Sequence, residues 1–140
     1  MHHLVYSSQI VGALSESLLR EMLQKFRHYN HQVGITGILL YCNGQVLQVL
    51  EGERTVVEQL YSRIEHDPRH GNVVKLADGP VSWREFPEWS MAFAVASPSA
   101  FSSLTGYCDP DNPWQPRNEA GQLIRELIRE FIQQTRLTVR

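Results

Sequence analysis

Ile35-Thr36-Gly37-Ile38-Leu39-Leu40-Tyr41-Cys42-Asn43-Gly44-Gln45-Val46-Leu47-Gln48-Val49-Leu50-Glu51-Gly52 is the stretch that decides the architecture. Two apolar runs, 35–41 and 45–50, are joined through Cys42-Asn43-Gly44. An Asn-Gly pair supplies the positive φ angles of a tight hairpin turn. The second run is apolar at nearly every position, the pattern of a strand buried on both faces. Gln48 interrupts it. A primary amide brings two N–H donors and an acceptor oxygen, and leaving them unpaired costs roughly 1–3 kcal/mol. Gln48 therefore has a partner inside the fold, either the backbone or a polar ligand such as a heteroaromatic ring.

Upstream, Leu4-Val5-Tyr6-Ser7-Ser8 reads as a short strand. Leu18, Leu19, Met22, Leu23 and Phe26 then form one helical stripe, with Ser15 or Ser17 as N-cap and Asn30 just after the helix, where a C-cap falls. Downstream, Glu51-Gly52 ends the hairpin. Thr55-Val56-Val57-Glu58 has the form of a capping box and opens a helix with Val56, Val57, Leu60, Tyr61 and Ile64 on one face. Asp67-Pro68-Arg69-His70-Gly71 stops that helix. Residues 73–77 and 91–96 read as two further strands. The order β-α-β-β-α-β-β is that of a ferredoxin-like split βαβ sheet with an added strand, an α+β fold with two helices on one face. Between such helices and the sheet lies a layer that can take a ligand.

Composition shifts near Ser97. Residues 98–116 are rich in Ser, Pro, Asp and Gly, and Leu123, Ile124, Leu127, Ile128, Phe131 and Ile132 then make a strong amphipathic stripe. The expected division is a main domain over 1–97 and a C-terminal helical extension over 98–140, packed on the open sheet face or on another subunit.

The chain has 140 residues, 42% of them hydrophobic and 20% charged, with a net charge of -2. These values suit one globular domain and give no global positive field to draw in nucleic acid or an anionic membrane. Cys42 and Cys108 make neither a disulfide framework nor a zinc site. No apolar run approaches the ~18 residues of a membrane span, and the N-terminal stretch lacks the pattern of a signal peptide, so the expected location is cytoplasmic. His2, His3, His28, His31, His66 and His70 lack metal-ligand spacing and read as surface histidines, so no metal is expected. Nucleophile-elbow, P-loop and dinucleotide-binding motifs do not occur.

Arg63, Asp67, Arg69 and His70 cluster around the end of the second helix. They read either as capping and surface ion pairs or as a site for a phosphate or a sugar hydroxyl. Asn30 is either a C-cap or aims its amide at a ligand edge. Tyr6 is a core tyrosine whose hydroxyl needs a buried partner. Taken together, Tyr6, Asn30 and Gln48 would face the layer between helices and sheet, a constellation suited to a planar heteroaromatic ligand with carbonyl and imino groups along one edge.

At these residues the chain resembles the BLUF domains, blue-light receptors that use flavin. The matching stretches are Leu4-Val5-Tyr6-Ser7-Ser8, Asn30 followed by Gly34-Ile35-Thr36-Gly37, Gln45 to Gly52, Arg63-Ile64, Asp67-Pro68-Arg69-His70, and Arg84-Glu85-Phe86-Pro87-Glu88-Trp89-Ser90-Met91. They run in order over residues 4–95. With no effector domain after them, the chain is similar to the short members of the family, and Trp114-Gln115-Pro116-Arg117 before a final helix resembles the tail of the cyanobacterial PixD type. Two positions depart from the family pattern. Tyr29 stands where many members have Asn or His, and Val46 where Phe is usual.

The resemblance implies a non-covalently bound flavin, with FAD the form expected in cells and FMN or riboflavin as alternatives. It implies that Tyr6 donates an electron and a proton, and that Gln48 bridges the Tyr6 hydroxyl and the flavin N5/O4 edge. Asn30 would hold the pyrimidine end, Arg63 and Asp67 the ribityl-phosphate side, and Ile35 and Tyr29 would lie against the flavin. Trp89 and Met91 would report the change outward. A homo-oligomer and a downstream response-regulator-like or transcription-regulating partner are implied, with no enzyme activity of the chain's own. Two other classes compete. A light-indifferent adaptor would bind through the tail helix. An acylphosphatase-like hydrolase would need an Arg-bearing phosphate loop after the first strand, where Ser7-Ser8-Gln9-Ile10-Val11-Gly12 stands instead.

Overall fold

The computed structural model describes residues 1–11, 16–42, 44–86 and 92–95, together with 122–124, 126, 127, 130 and 131. The elements among them are, in order, β1 (His2–Ile10), α1 (Glu16–Val33), β2 (Thr36–Cys42), β3 (Gln45–Gly52), α2 (Arg54–Glu65), β4 (His70–Pro80) and β5 (Ala92–Val95). They form one sheet in the order β4-β1-β3-β2-β5. β1 pairs antiparallel with β3 and β4, and β2 antiparallel with β3. β5 adds to the outside of β2 in parallel. This is the α+β, ferredoxin-like arrangement with an added strand that the sequence order predicts.

Side chains alternate across this sheet, and two cores result. Leu4 and Tyr6 of β1, Leu39 of β2, and Val46 and Leu50 of β3 point to the helices, where they meet Leu23 of α1 and Val57 and Tyr61 of α2. The intervening residues, Val5, Ile38, Leu40, Leu47 and Val49, point to the other face and pack with Phe86, Ile124 and Phe131. Each such buried side chain contributes roughly 1.5–3 kcal/mol. Ile124 and Phe131 belong to the tail, whose described residues between 122 and 131 are helical. Of the amphipathic stripe, Ile124 and Phe131 lie in this core on the open sheet face with Leu127 packed against it, Leu123 is exposed, and Ile128, Ile132 and the boundary expected at 97–98 fall outside the described residues.

The hairpin closes with Cys42 opposite Gln45, and Asn43 of the turn lies outside the described residues. Gly44 takes φ 80°, and its carbonyl accepts the Ile10 N–H at 2.8 Å, fixing the turn to the end of β1. Gly37 allows the closest backbone approach in the hairpin, since a Cβ there would lie 1.8 Å from the Val49 carbonyl oxygen.

Several local expectations are corrected. β1 and β4 run well past residues 4–8 and 73–77, because β1 pairs along its whole length and carries β4 with it, from Ile10 opposite His70 to His2 opposite Pro80. Pro80 is tolerated because β4 is an edge strand. Thr55 and Glu58 are not a capping box. α2 starts at Arg54, directly after Glu53, which makes no side-chain cap bond. The Thr55 hydroxyl instead donates to Glu53 Oε1 at 2.9 Å, and Glu58 pairs with Arg54 at 2.9 Å. Ser17 lies inside α1, and Ser15 lies outside the described residues, as do Trp89 and Met91. His2 and His3 are not surface histidines: both are buried in β1, and the His2 Nε2 is hydrogen-bonded to Asp78.

Candidate functional site

Between α1, α2 and the sheet lies a cleft of about 340 Å³, within the size range of small-molecule sites. Its floor is set by strand register. Gln48 sits in β3 directly opposite Tyr6 on one side and Leu39 on the other, and all three line the cleft. One wall is the α1 stripe Met22, Phe26, Tyr29 and Asn30, and the other is Leu60, Arg63 and Ile64 of α2. Both sets fall at helical spacing, so each helix turns one face to the sheet. Asp67, Arg69 and His70 close the end where α2 gives way to β4.

At the centre, the buried Tyr6 hydroxyl donates a hydrogen bond to Gln48 Oε1. Burial pushes the Tyr6 phenol far above its ordinary value, with Tyr61 and Asp67 adding to the effect. The neutral phenol keeps its proton to donate, and the Gln48 amide presents its oxygen to it. Tyr61 packs its ring 5.6 Å from that of Tyr6, and His70 lies edge-on at 6.5 Å. The His70 Nδ1 and the Ser8 hydroxyl are 2.9 Å apart. Burial pushes the His70 imidazole below its ordinary range, against the pull of Asp67.

Asn30 is buried within α1, not after it as a cap. The helix continues to Val33, and the Asn30 carbonyl accepts the Ile35 N–H at 2.9 Å. Arg63 lies over the ring of Tyr29, 5.1 Å from its centroid, joining the two helices across the cleft. Asp67 is held by Arg69, with the closest contact at 2.6 Å, and this pairing pulls its carboxyl down to about 2. Both readings of that cluster are thus present: it is an ion pair, and it lines the cleft. Ile35 is the expected ligand neighbour that the fold places elsewhere. It is buried in the helix-side core with Leu4, Leu50 and Val57 and is not among the lining residues. His70, read from sequence as a surface residue, lines the cleft. Its place beside Tyr6 depends on pairing between β1 and β4, which no local pattern reveals.

A second polar constellation, missed in the sequence, lies on the opposite face of β3. Glu51 is buried, and its carboxylate accepts the Glu85 N–H at 2.6 Å, the Phe86 N–H at 2.9 Å and the Thr36 hydroxyl at 3.0 Å. Arg84 donates to the Thr36 hydroxyl oxygen at 2.8 Å, the Glu51 carbonyl at 3.1 Å and the Gly34 carbonyl at 2.6 Å. Burial pushes the Glu51 carboxyl up, against the pull of these donors and of Arg84. The available signal was alternation: 47, 49 and 51 share a face, so an acid at 51 follows two core residues into the interior.

Among the described residues no group of three or more His, Cys, Asp or Glu side chains is arranged to hold a metal ion, and no helix is long and apolar enough to cross a membrane.

Residues 1–92 match the family described as sensors of blue-light using FAD. The photoactivated adenylate cyclase subunit beta of Euglena longa is 38% identical over 93 residues, which are 66% of this chain and 11% of that protein. This chain therefore spans about a tenth of that curated relative. Among solved structures, BlrB, a BLUF protein in its dark state, superposes with a TM-score of 0.65 at 33% identity, covering 68% of this chain and 72% of that one. A bacterial light-regulated adenylyl cyclase superposes with a TM-score of 0.66 at 29% identity, covering 98% of this chain and 35% of that one.

Proposed function

The chain belongs to the BLUF family, the sensors of blue light using FAD, and from that premise we propose that it is a photoreceptor holding a flavin between α1 and α2, with Tyr6 and Gln48 as its working pair. The observation that carries this reading is the buried Tyr6–Gln48 hydrogen bond on the cleft floor. The residues present fit the group. The walls are mainly apolar and suit a planar ring, Gln48 and Asn30 offer amides toward its polar edge, and Lys25, Arg63 and Arg69 outnumber Asp67 at the rim. That balance favours a flavin carrying phosphate, FMN or FAD, over riboflavin.

A bound flavin would supply, on absorbing blue light, the oxidant that draws an electron from Tyr6 and later returns it. The chain's own residues do the rest. Losing an electron makes the Tyr6 phenol a strong acid, and its proton has one path already laid, along the hydrogen bond to Gln48 Oε1. An amide that has taken this proton can release it after rotating about its last bond or as its imidic tautomer. Tyr6 recovers its proton, and Gln48 is left with a different set of donors and acceptors. A changed hydrogen bond from Gln48 to a bound flavin would shift its absorption to longer wavelength without net chemistry. Exchanging satisfied for unsatisfied partners is worth on the order of 1–3 kcal/mol in a buried amide, enough to bias a two-state element.

The chain acts here as a sensor without an enzymatic step of its own. It passes the change through the last strand, with Trp89 and Met91, and through the tail to a protein partner of response-regulator or transcription-regulating kind, as a homo-oligomer. Absorption spectra of purified Tyr6→Phe and Gln48→Ala test the photochemical core: each is expected to retain flavin and lose the reversible red shift. A normal photocycle in Tyr6→Phe would contradict the assignment and move the donor to Tyr29 or Trp89.

A further inference from the structure

Gln48 and Glu51 stand on one strand, three residues apart, and on opposite faces of the sheet. Gln48 faces the cleft beside Val46 and Leu50 of the first core. Leu47 and Val49, on either side of it, face the second core with Phe86. Glu51 lies on that same face and is the point where residues 84–86 are fastened. Its two oxygens receive three N–H or O–H donors, and Arg84 ties its backbone carbonyl to β2 through Thr36 and to Gly34. Phe86 is thereby held in the core that also contains Ile124 and Phe131 of the tail.

We propose that Glu51 is the positioning residue that passes a change at Gln48 to the far side of the sheet, by clamping residues 84–86 to the strand that carries Gln48. The chemistry of the clamp makes it all-or-none. Both carboxyl oxygens act as acceptors, Oε2 for the Glu85 N–H and Oε1 for the Phe86 N–H and the Thr36 hydroxyl. An amide nitrogen in place of Oε2 would face the Glu85 N–H and leave both unpaired. β3 is hydrogen-bonded on both sides, to β1 and β2, and cannot change its tilt at Gln48 without carrying Glu51. Phe86 shares the second core with Val5, Ile38, Leu40, Leu47, Val49, Ile124 and Phe131, and the clamp adds to that packing a polar link from the 85–86 backbone to β3, through which Phe86 and the tail follow that strand. This inference rests on the photoreceptor reading and adds to it a route from the cleft to the tail.

The test is hydrogen exchange in the full chain of wild type, Glu51→Gln and the milder Thr36→Val, which removes one donor and leaves the carboxylate. Without flavin, Glu51→Gln is expected to speed exchange of the Glu85 and Phe86 amides about tenfold or more, with β1 and β3 amides still protected. With flavin, Glu51→Gln is expected to keep the full red shift and to lose the light–dark difference in exchange at 84–86 and 122–131, while Thr36→Val shows a reduced difference. A purely structural role would lower stability and leave the light–dark difference at its wild-type size, and that result overturns the proposal. Unchanged exchange at Glu85 and Phe86 in flavin-free Glu51→Gln also overturns it. A wild type that binds flavin but shows no red shift overturns the photoreceptor reading, and this inference with it. A wild type that shifts but has no light–dark difference at 84–86 overturns this inference alone.

Discussion

At the scale of single residues, the site is governed by which groups can give up a proton and which cannot. Burial disfavours the Tyr6 phenolate, so loss of its proton is coupled to loss of an electron, while its hydroxyl donates to the Gln48 oxygen here and can accept from the amide nitrogen once that amide rotates. Asp67 and His70 of the cleft both contribute to the pH response, with Asp78 and His3 shifted in the same directions elsewhere in the fold. The Asp67 carboxyl is pulled from 3.8 to about 2 by Arg69. Its stabilisation is therefore present above 3.8 and lost as pH falls toward 2. His70 is held below its ordinary 6.5 by burial, so the unfolded chain takes up its proton first and stability also falls as pH drops below 6.5. Urea midpoints measured across both windows are expected to decline toward acid in two stages. Asp67→Asn should flatten the lower stage and His70→Gln the upper one.

Gln48 was legible in the sequence as an amide interrupting an apolar strand, while Tyr6, first a core tyrosine, and Asn30, first a C-cap, drew attention only when set beside it. Glu51 was not, because an acid before a glycine at a strand end reads as the way out of the sheet. What keeps it inside is its row of neighbours, Thr36 from β2 and the 84–86 segment, which only the folded chain brings together. His2 and His3 were misread for the same reason. A histidine near a terminus reads as exposed until a strand pairing, here β1 with β4, closes over it.

At the scale of elements, the hairpin of β2 and β3 places Gln48, and its geometry depends on Gly37. Gly37→Ala would put a methyl carbon 1.8 Å from the Val49 carbonyl oxygen. The backbone must separate to make room, and a loss of roughly 4 kcal/mol or more is expected, at the far end of single substitutions. Thermal or urea unfolding followed by circular dichroism checks this, and a loss under about 1 kcal/mol would mean that the hairpin is more compliant than its register implies. The hairpin was the most legible element, since its turn residues and its apolar runs point the same way. β4 was the least legible. Its Gly71, Asp78, Gly79 and Pro80 are poor strand formers held in the sheet by pairing with β1, and Asn72 interrupts it with a positive φ of 49° where the register shifts.

At the scale of the whole molecule, the sheet separates two cores with different tasks. The helix-side core surrounds the cleft, and the far-side core holds Phe86 and the tail. A tail substitution should therefore change stability without touching the cleft. Ile124, 1% exposed, is expected to cost roughly 2–5 kcal/mol on replacement by Ala, read from urea unfolding, with flavin affinity and absorption unchanged. The amphipathic stripe was plain in the sequence. Its partner was not, because a stripe states that something covers it and leaves open whether that is a sheet or another subunit.

The whole account turns on a yellow protein that responds to light through Tyr6 and Gln48, so the light-minus-dark absorption spectrum of the purified chain tests it most directly. The expected result is a flavin spectrum that moves to longer wavelength under blue light, returns in darkness, and loses that shift in both Tyr6→Phe and Gln48→Ala. A colourless protein able to bind no added flavin, or a flavin-loaded protein whose spectrum blue light leaves unchanged, would contradict it.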